Sequence, residues 1–231
     1  MPFFFFDWTF MLVIPVLLLA MWAQSQVRGN YERFRRVASS TGMSGAQTAR
    51  RILDRHGLTD VTVRAVPGVL SDHYDPRNKT VNLSQDVYNG RSVSSVSIAA
   101  HECGHALQHA AGYFPLQVRA SILPVANLGS TMAFPLFFIG LLFGHSQLAF
   151  LMDVGIVLFA GALLFHLVTL PVELNASHRA LQEVRENFVA SDEEIAGTRK
   201  VLGAAALTYI AATLMALVQL LRMFLLRGSR R

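Results

Sequence analysis

Four long apolar runs divide this 231-residue chain, at about 3–23, 122–143, 148–170 and 201–226. Each is long enough for one helix to cross roughly 30 Å of hydrocarbon. The first run has Asp7 as its only charge and no basic leader. It therefore reads as an anchor entering N-terminus first and not as a cleaved signal peptide. The second contains Pro124 and Pro135, which a membrane helix tolerates where its neighbours satisfy the backbone groups that proline frees. Gln219 and Arg222 interrupt the end of the fourth. A span is the expectation there, with an interfacial helix or a re-entrant hairpin as the alternative.

Between the first two runs the pattern changes period. Ala46, Ala49, Ile52 and Leu53 recur at helical spacing over 44–56, with Ser44 placed as an N-cap and Gly57 as the stop. Residues 61–66 and 80–83 alternate as strands do, and the stretch 67–78 between them is rich in turn formers. Residues 92–110 hold no proline and one glycine, and their alanines suit a helix packed closely against something else. The fold class expected is a mainly α membrane protein of about four transmembrane helices with a small α+β domain. By residue, 1–24 is an N-terminal anchor, 25–119 the α+β domain and 120–172 a transmembrane hairpin. Residues 173–200 form a polar segment, and 201–231 a C-terminal transmembrane or interfacial helix with a basic tail.

Composition supports the membrane reading. The chain is 52% hydrophobic with a mean hydropathy of +0.39, too apolar for an ordinary soluble domain. Its formal charge is +5, and nearly every basic residue is Arg, Lys79 and Lys200 being the exceptions. The arginines flank apolar runs, so orientation in a membrane explains them better than nucleic-acid binding, which is not expected. Arg28, Arg33, Arg35 and Arg36 follow the first run, Arg119 precedes the second, and Arg179 and Arg185 follow the third, whereas the 144–147 tip has no Lys or Arg. Positive charge inside then puts 25–119 and 172–200 in the cytoplasm, with the N-terminus and the tip outside. If the fourth run spans, Arg227, Arg230 and Arg231 end outside. A single cysteine, Cys103, excludes an intrachain disulfide.

The sharpest chemistry is His101-Glu102-Cys103-Gly104-His105, an H-E-x-x-H motif within 92–110. Positions i and i+4 share one helix face about 6 Å apart in rise, so two neutral imidazoles there can grip one Zn²⁺. Glu102 then lies beside the metal-bound water and can take its proton. A buried helix with two satisfied histidines is the plainer alternative, but burying a charge and two imidazoles without a role is costly. Cys103, two residues on from His101, points about 200° away and is expected to be a packed thiol. Helix, two strands and metal helix is an order that many zinc peptidases use, which makes 25–119 zincin-like.

A catalytic zinc needs a third protein ligand and a water. His109 is about 12 Å from His101 along a continuous helix, beyond the reach of one ion. Glu173 follows the third apolar run directly and falls on the same side of the membrane as the motif. Two neutral histidines and one carboxylate would leave the site at a charge that acidifies the bound water. Glu183 and Glu186 are weaker rivals, and a solvated first-turn glutamate is the plain alternative for Glu173. Pro171 suits a helix start or kink just before it. His166, inside the third run, is expected to be a hydrogen-bonded imidazole near the membrane face, and Asp153 to snorkel towards headgroups. His73 and Asp75 read equally as contacts to ligands or substrate and as turn chemistry.

These residues resemble a known family. His101–Gln108 as H-E-C-G-H-A-L-Q, Pro67-Gly68, Asp72-His73-Tyr74-Asp75-Pro76, Leu83-Ser84 and Leu170-Pro171-Val172-Glu173-Leu174-Asn175-Ala176-Ser177 look like the YugP-type neutral zinc metallopeptidases of bacterial membranes. The resemblance covers about 42–226. It implies a zinc-dependent peptidase of the bacterial inner membrane, with His101 and His105 as ligands and Glu102 as general base. A more distant similarity is to the HtpX and CAAX-prenyl-type membrane peptidases, whose third ligand is the Glu of an E-x-x-A-D motif. Here Ser177 replaces the final Asp, and Ser177 or Asn175 would have to orient the ligands instead.

The reading that results is a membrane metalloendopeptidase with Zn²⁺ on His101, His105 and Glu173 and an active site facing the cytoplasm. Tyr74 and His178 are candidate oxyanion donors. Its expected partners are the lipid bilayer and a membrane-associated protein or peptide substrate, with room for an adaptor protein. The alternative is a membrane scaffold or metal-handling protein with structural zinc, which would need a fourth protein ligand. Placing the metal helix inside the bilayer is disfavoured by its serines, Gln108 and histidines.

Overall fold

The computed structural model describes residues 8–143, 147–187 and 191–229. Residues 3–7 of the first apolar run, positions 144–146 of the tip, and Arg230 and Arg231 of the tail lie outside the described residues. After a 3-10 turn at Trp8–Leu12 the elements are α1 (Val13–Arg35), α2 (Gly45–Arg55), β1 (Thr62–Val66), β2 (His73–Asp75), β3 (Thr80–Ser84), α3 (Gln85–Asn89), α4 (Val93–Ala110), α5 (Phe114–Leu142), α6 (Phe150–Asn187) and α7 (Asp192–Gly228). Four helices are long and apolar enough to cross a membrane, within Trp8–Arg35, Phe114–Leu142, Gln147–Glu186 and Asp192–Gly228. The protein is a mainly α membrane protein with a small α+β part.

The chain packs as two compact units. The first comprises residues 8–22, 117–171 and 208–229 of the described chain. Its core joins Phe137, Leu141, Met152, Ile156 and Phe159 with Met223. Close helix approach there depends on missing side chains: a Cβ on Gly155 would come within 2.7 Å of the Ala133 carbonyl, and one on Gly129 would collide with the Leu158 carbonyl. Asp153 does not snorkel alone. It receives a two-pronged contact from Arg227, at 2.8 Å and 2.5 Å. Arg222 donates to Thr9 Oγ1 at 3.0 Å and lies over the Phe10 ring.

The second unit, Ala23–Leu116 with Val172–Leu207, carries the sheet and the motif. Ser44 and Gln47 form a reciprocal cap at the start of α2, each side chain accepting from the other's backbone N–H. Gly57 ends the helix at φ +72°, a conformation glycine adopts without strain. The sheet order is β1-β3-β2, with β1 parallel and β2 antiparallel to β3. The turn-rich stretch therefore contains a third strand. His73-Tyr74-Asp75 has no apolar alternation of its own, and its pairing with Thr80–Asn82 makes it a strand. Central β3 turns Val81 and Leu83 into a core with Ile52, Leu53, Val96 and Cys103. Cys103 is the packed thiol expected: burial raises it above an ordinary thiol, and its Sγ lies 3.6 Å from the Ala49 carbonyl.

Two further departures concern helix length. The helix α6 runs through Pro171 without a break, although the compact units divide at that point, between Pro171 and Val172. Likewise α7 starts well before the fourth apolar run and continues to Gly228, so no re-entrant hairpin forms. Ser191 and Glu194 nucleate it. The Ser191 backbone donates to Glu194 Oε2 at 3.0 Å, and the Glu194 backbone donates to Ser191 Oγ at 3.3 Å.

Candidate metal centre

Helix α4 begins at a serine cap, where Ser92 Oγ accepts from the Ser95 backbone N–H. Most of the helix is buried, so its polar side chains must find partners inside the protein. The residues of α6 just past Pro171 lie against it. A Cβ on Gly104 would stand 2.6 Å from the Ala176 carbonyl oxygen, so only glycine permits this approach. Ala176 and Val172 are themselves fully buried.

That contact sets Glu173 over the two histidines. Glu173 Oε2 is 3.3 Å from His101 Nε2 and 3.4 Å from His105 Nε2. The three donor atoms lie within 4.8 Å of one another. Two ligands about 2.0–2.1 Å from one tetrahedral ion stand about 3.3–3.4 Å apart, which is the spacing between the carboxylate and each imidazole. Two imidazole nitrogens and a carboxylate oxygen form a donor set suited to zinc, so the residues fit the ion. His109 is not among them, and neither are Glu183, which is 2.7 Å from His56 Nε2, nor Glu186. His166 belongs to the other compact unit.

The nitrogen on the far side of each imidazole is also engaged. His101 Nδ1 is 3.2 Å from Ser177 Oγ, and His105 Nδ1 is 3.0 Å from Gln108 Oε1. With both Nδ1 atoms donating there, a neutral imidazole presents its Nε2 lone pair to an ion placed between it and Glu173. Gln108 is completely buried and uses its amide to donate to the Val172 carbonyl at 2.7 Å and to Asn175 Oδ1 at 3.0 Å. Asn175 also accepts from Arg179 Nε at 2.9 Å. Sequence pattern alone does not mark Gln108 as a site residue. Its signal was a glutamine three residues after a histidine ligand, on the face turned to the interior.

Charge in the site is concentrated. Burial works to lower the His105 imidazole, but its hydrogen bond to Glu173 and the charges of Glu102 and Glu173 outweigh this and raise it. Glu102 is buried at 7% exposure. Asp72 is raised, first by burial and also by the Glu102 charge, against the pull of the Ser84 backbone N–H that it accepts at 2.7 Å. Asp72 stands beside His73 in the turn-rich stretch, where its sequence gives it no evident role. The geometry makes it the half-buried carboxyl that ties the entry of β2 to the end of β3.

The remaining candidates divide. His73 contacts the Ser71 carbonyl and Asn82. Asp75 accepts from the Arg77 backbone at 2.9 Å and from Asn78 Nδ2 at 2.7 Å, which is turn chemistry. Those bonds hold its carboxyl below the usual range. The Tyr74 hydroxyl meets His109 Nδ1 at 2.9 Å. His178 is exposed one residue past Ser177.

The family model described as "Putative neutral zinc metallopeptidase" matches residues 9–228. The chain is 51% identical over 212 residues to "Putative membrane protease YugP" of Bacillus subtilis (strain 168), covering 91% of this chain and 92% of that one. No solved structure matches the chain. A match running through all four apolar helices and the histidine pair alike leaves one conclusion: the chain belongs to the neutral zinc metallopeptidase family, as a membrane protein.

Proposed function

We propose that the protein is a zinc-dependent endopeptidase, built as a multi-pass protein of a bacterial inner membrane with its active site facing the cytoplasm. The observation that carries this is the position of Glu173 Oε2, 3.3 Å and 3.4 Å from the two Nε2 atoms of H-E-x-x-H. His101, His105 and Glu173 would hold the ion. Zinc, when bound there, supplies a Lewis acid that polarises a peptide carbonyl and brings a water's pKa down towards about 7. Glu102 acts as general base, taking the water's proton and passing it to the leaving nitrogen. Ser177 and Gln108 keep the imidazoles in the tautomer and orientation that ligation needs. Arg28, Arg33, Arg35 and Arg36 past the first run, and Arg179 and Arg185 past the third, support the cytoplasmic orientation. The substrate is a protein or peptide, membrane-associated because the enzyme is.

A structural zinc would require a fourth protein ligand. Among the described residues the His, Cys, Asp and Glu cluster holds three, which favours an open coordination position. The test is Glu102→Gln in the full-length protein. It should keep its zinc and lose casein cleavage by about 10²–10⁴-fold. Zinc-loaded Glu102→Gln that cleaves at the parent rate would overturn the assignment.

A further inference from the structure

A second polar pair sits on the metal helix, one turn past the ligands. Tyr74 lies in the middle of β2, and its hydroxyl is 2.9 Å from His109 Nδ1, with the two rings 5.9 Å apart and inclined at 54°. Tyr74 packs its ring against the core of its unit, while His109 is exposed. His109 is displaced from His105 by about 6 Å along the axis and by only about 40° around it. It therefore shares the ligand face. β2 is an edge strand, with β3 on one side and, among the described residues, no strand on the other.

Burial first, then the charges of Asp60 and Asp75, push Tyr74 up to about 12. It keeps its proton at neutral pH and so is able to donate it to Nδ1. A neutral imidazole that accepts at Nδ1 carries its own proton on Nε2. His109 Nε2 has no partner among the described residues. The result is one N–H donor, held by a core-anchored phenol beside an open strand edge.

We propose that the Tyr74–His109 pair is a substrate clasp, in which His109 Nε2–H donates to a backbone carbonyl of an extended peptide about two residues from the cleaved bond. This rests on the peptidase reading above. The count comes from geometry: an extended chain advances about 3.3 Å per residue, and His109 is displaced from His105, the nearer ligand, by about 6 Å along the helix. His109 touches the substrate, and Tyr74 is a positioning residue that acts through it. Because the acceptor is backbone, the clasp selects for length and extension and not for a particular side chain.

The test uses the full-length, zinc-loaded protein and peptides with one cleavable bond, lengthened one residue at a time on each side. In the parent, KM should fall about three- to tenfold when the second residue is added on one side, the worth of one hydrogen bond. Tyr74→Phe and His109→Ala should lose that step while kcat at each length stays within about twofold, the readout of uniform binding. His109→Gln places an amide N–H near the lost one and should recover part of the step. Thermal midpoints and zinc content check that each variant is folded. A parent without the step, variants that keep it, or variants that lose kcat equally at every length would overturn the clasp while leaving the peptidase reading standing. A zinc-loaded parent that cleaves neither these peptides nor casein would overturn both.

Discussion

Ser177 and Gln108 hold equivalent nitrogens of the two histidines, and they do it with different strength. The hydroxyl at His101 is part-exposed and meets one partner, whereas the amide at His105 is fully buried and makes bonds to Val172 and Asn175 as well. Losing either should weaken zinc binding about 10- to 100-fold. Gln108→Leu should be the worse of the two, because it also removes the amide's bonds to the Val172 carbonyl and to Asn175 Oδ1. Competition with a calibrated chelator measures this, and equal affinities for parent, Ser177→Ala and Gln108→Leu would refute it. Asp72 gives a prediction in pH. Its carboxyl is raised in the folded protein, so the native state holds that proton more tightly than the unfolded chain. The associated stability is complete below the unfolded value of about 3.9 and is lost as pH rises through the raised native value. Relative to the parent, Asp72→Asn should therefore gain stability as pH rises through that window, read as the difference in thermal midpoint. The grouping of His101 and His105 with Glu173 is legible from the spacing of the histidines and from the carboxylate's place after an apolar run. Gln108 was not, since a polar residue on a buried face names no partner until the facing helix is known.

At the scale of elements, the boundaries set by local chemistry could be read from the chain, and those set by packing could not. Ser44 and Gly57 announced α2. Strand β2 did not announce itself, because three residues with no apolar alternation become a strand only when β3 lies beside them. Pro171 suggested a start or a kink. Proline removes one backbone donor, yet α6 continues on both sides of it, from Phe150 to Asn187. The start of α7 was legible in principle, since Ser191-x-x-Glu194 is a capping box. Glu194 also accepts from the backbone and hydroxyl of Ser40, at 2.7 Å and 2.6 Å. Glu194→Ala should cost on the order of 1–2 kcal/mol through loss of these bonds. Chemical or thermal denaturation that shows no change would contradict that. Gly104→Ala tests the helix contact: a methyl facing the Ala176 carbonyl should cost about 1–3 kcal/mol of overpacking. It should also lower zinc affinity by displacing Glu173.

For the whole molecule, four apolar helices in a match spanning residues 9–228 make the membrane assignment secure. Orientation is argued from arginines. The native cysteine is buried, so single cysteines can be added and read against it. Ser229→Cys should react with a membrane-impermeant maleimide in intact spheroplasts, and Asn89→Cys only after lysis. The reverse pattern would place the metal centre on the outer face.

The contact between Asp153 and Arg227 joins residues that leave the ribosome 74 positions apart. Until α7 is made, the acid near the start of α6 lacks its arginine, and an unpaired acid in a membrane segment carries a depth-dependent cost. Synthesis through Arg227 then becomes a condition for pairing it. A chain ending before Arg227 should turn over faster than the full-length protein in a pulse-chase, and Asp153→Asn should slow that loss.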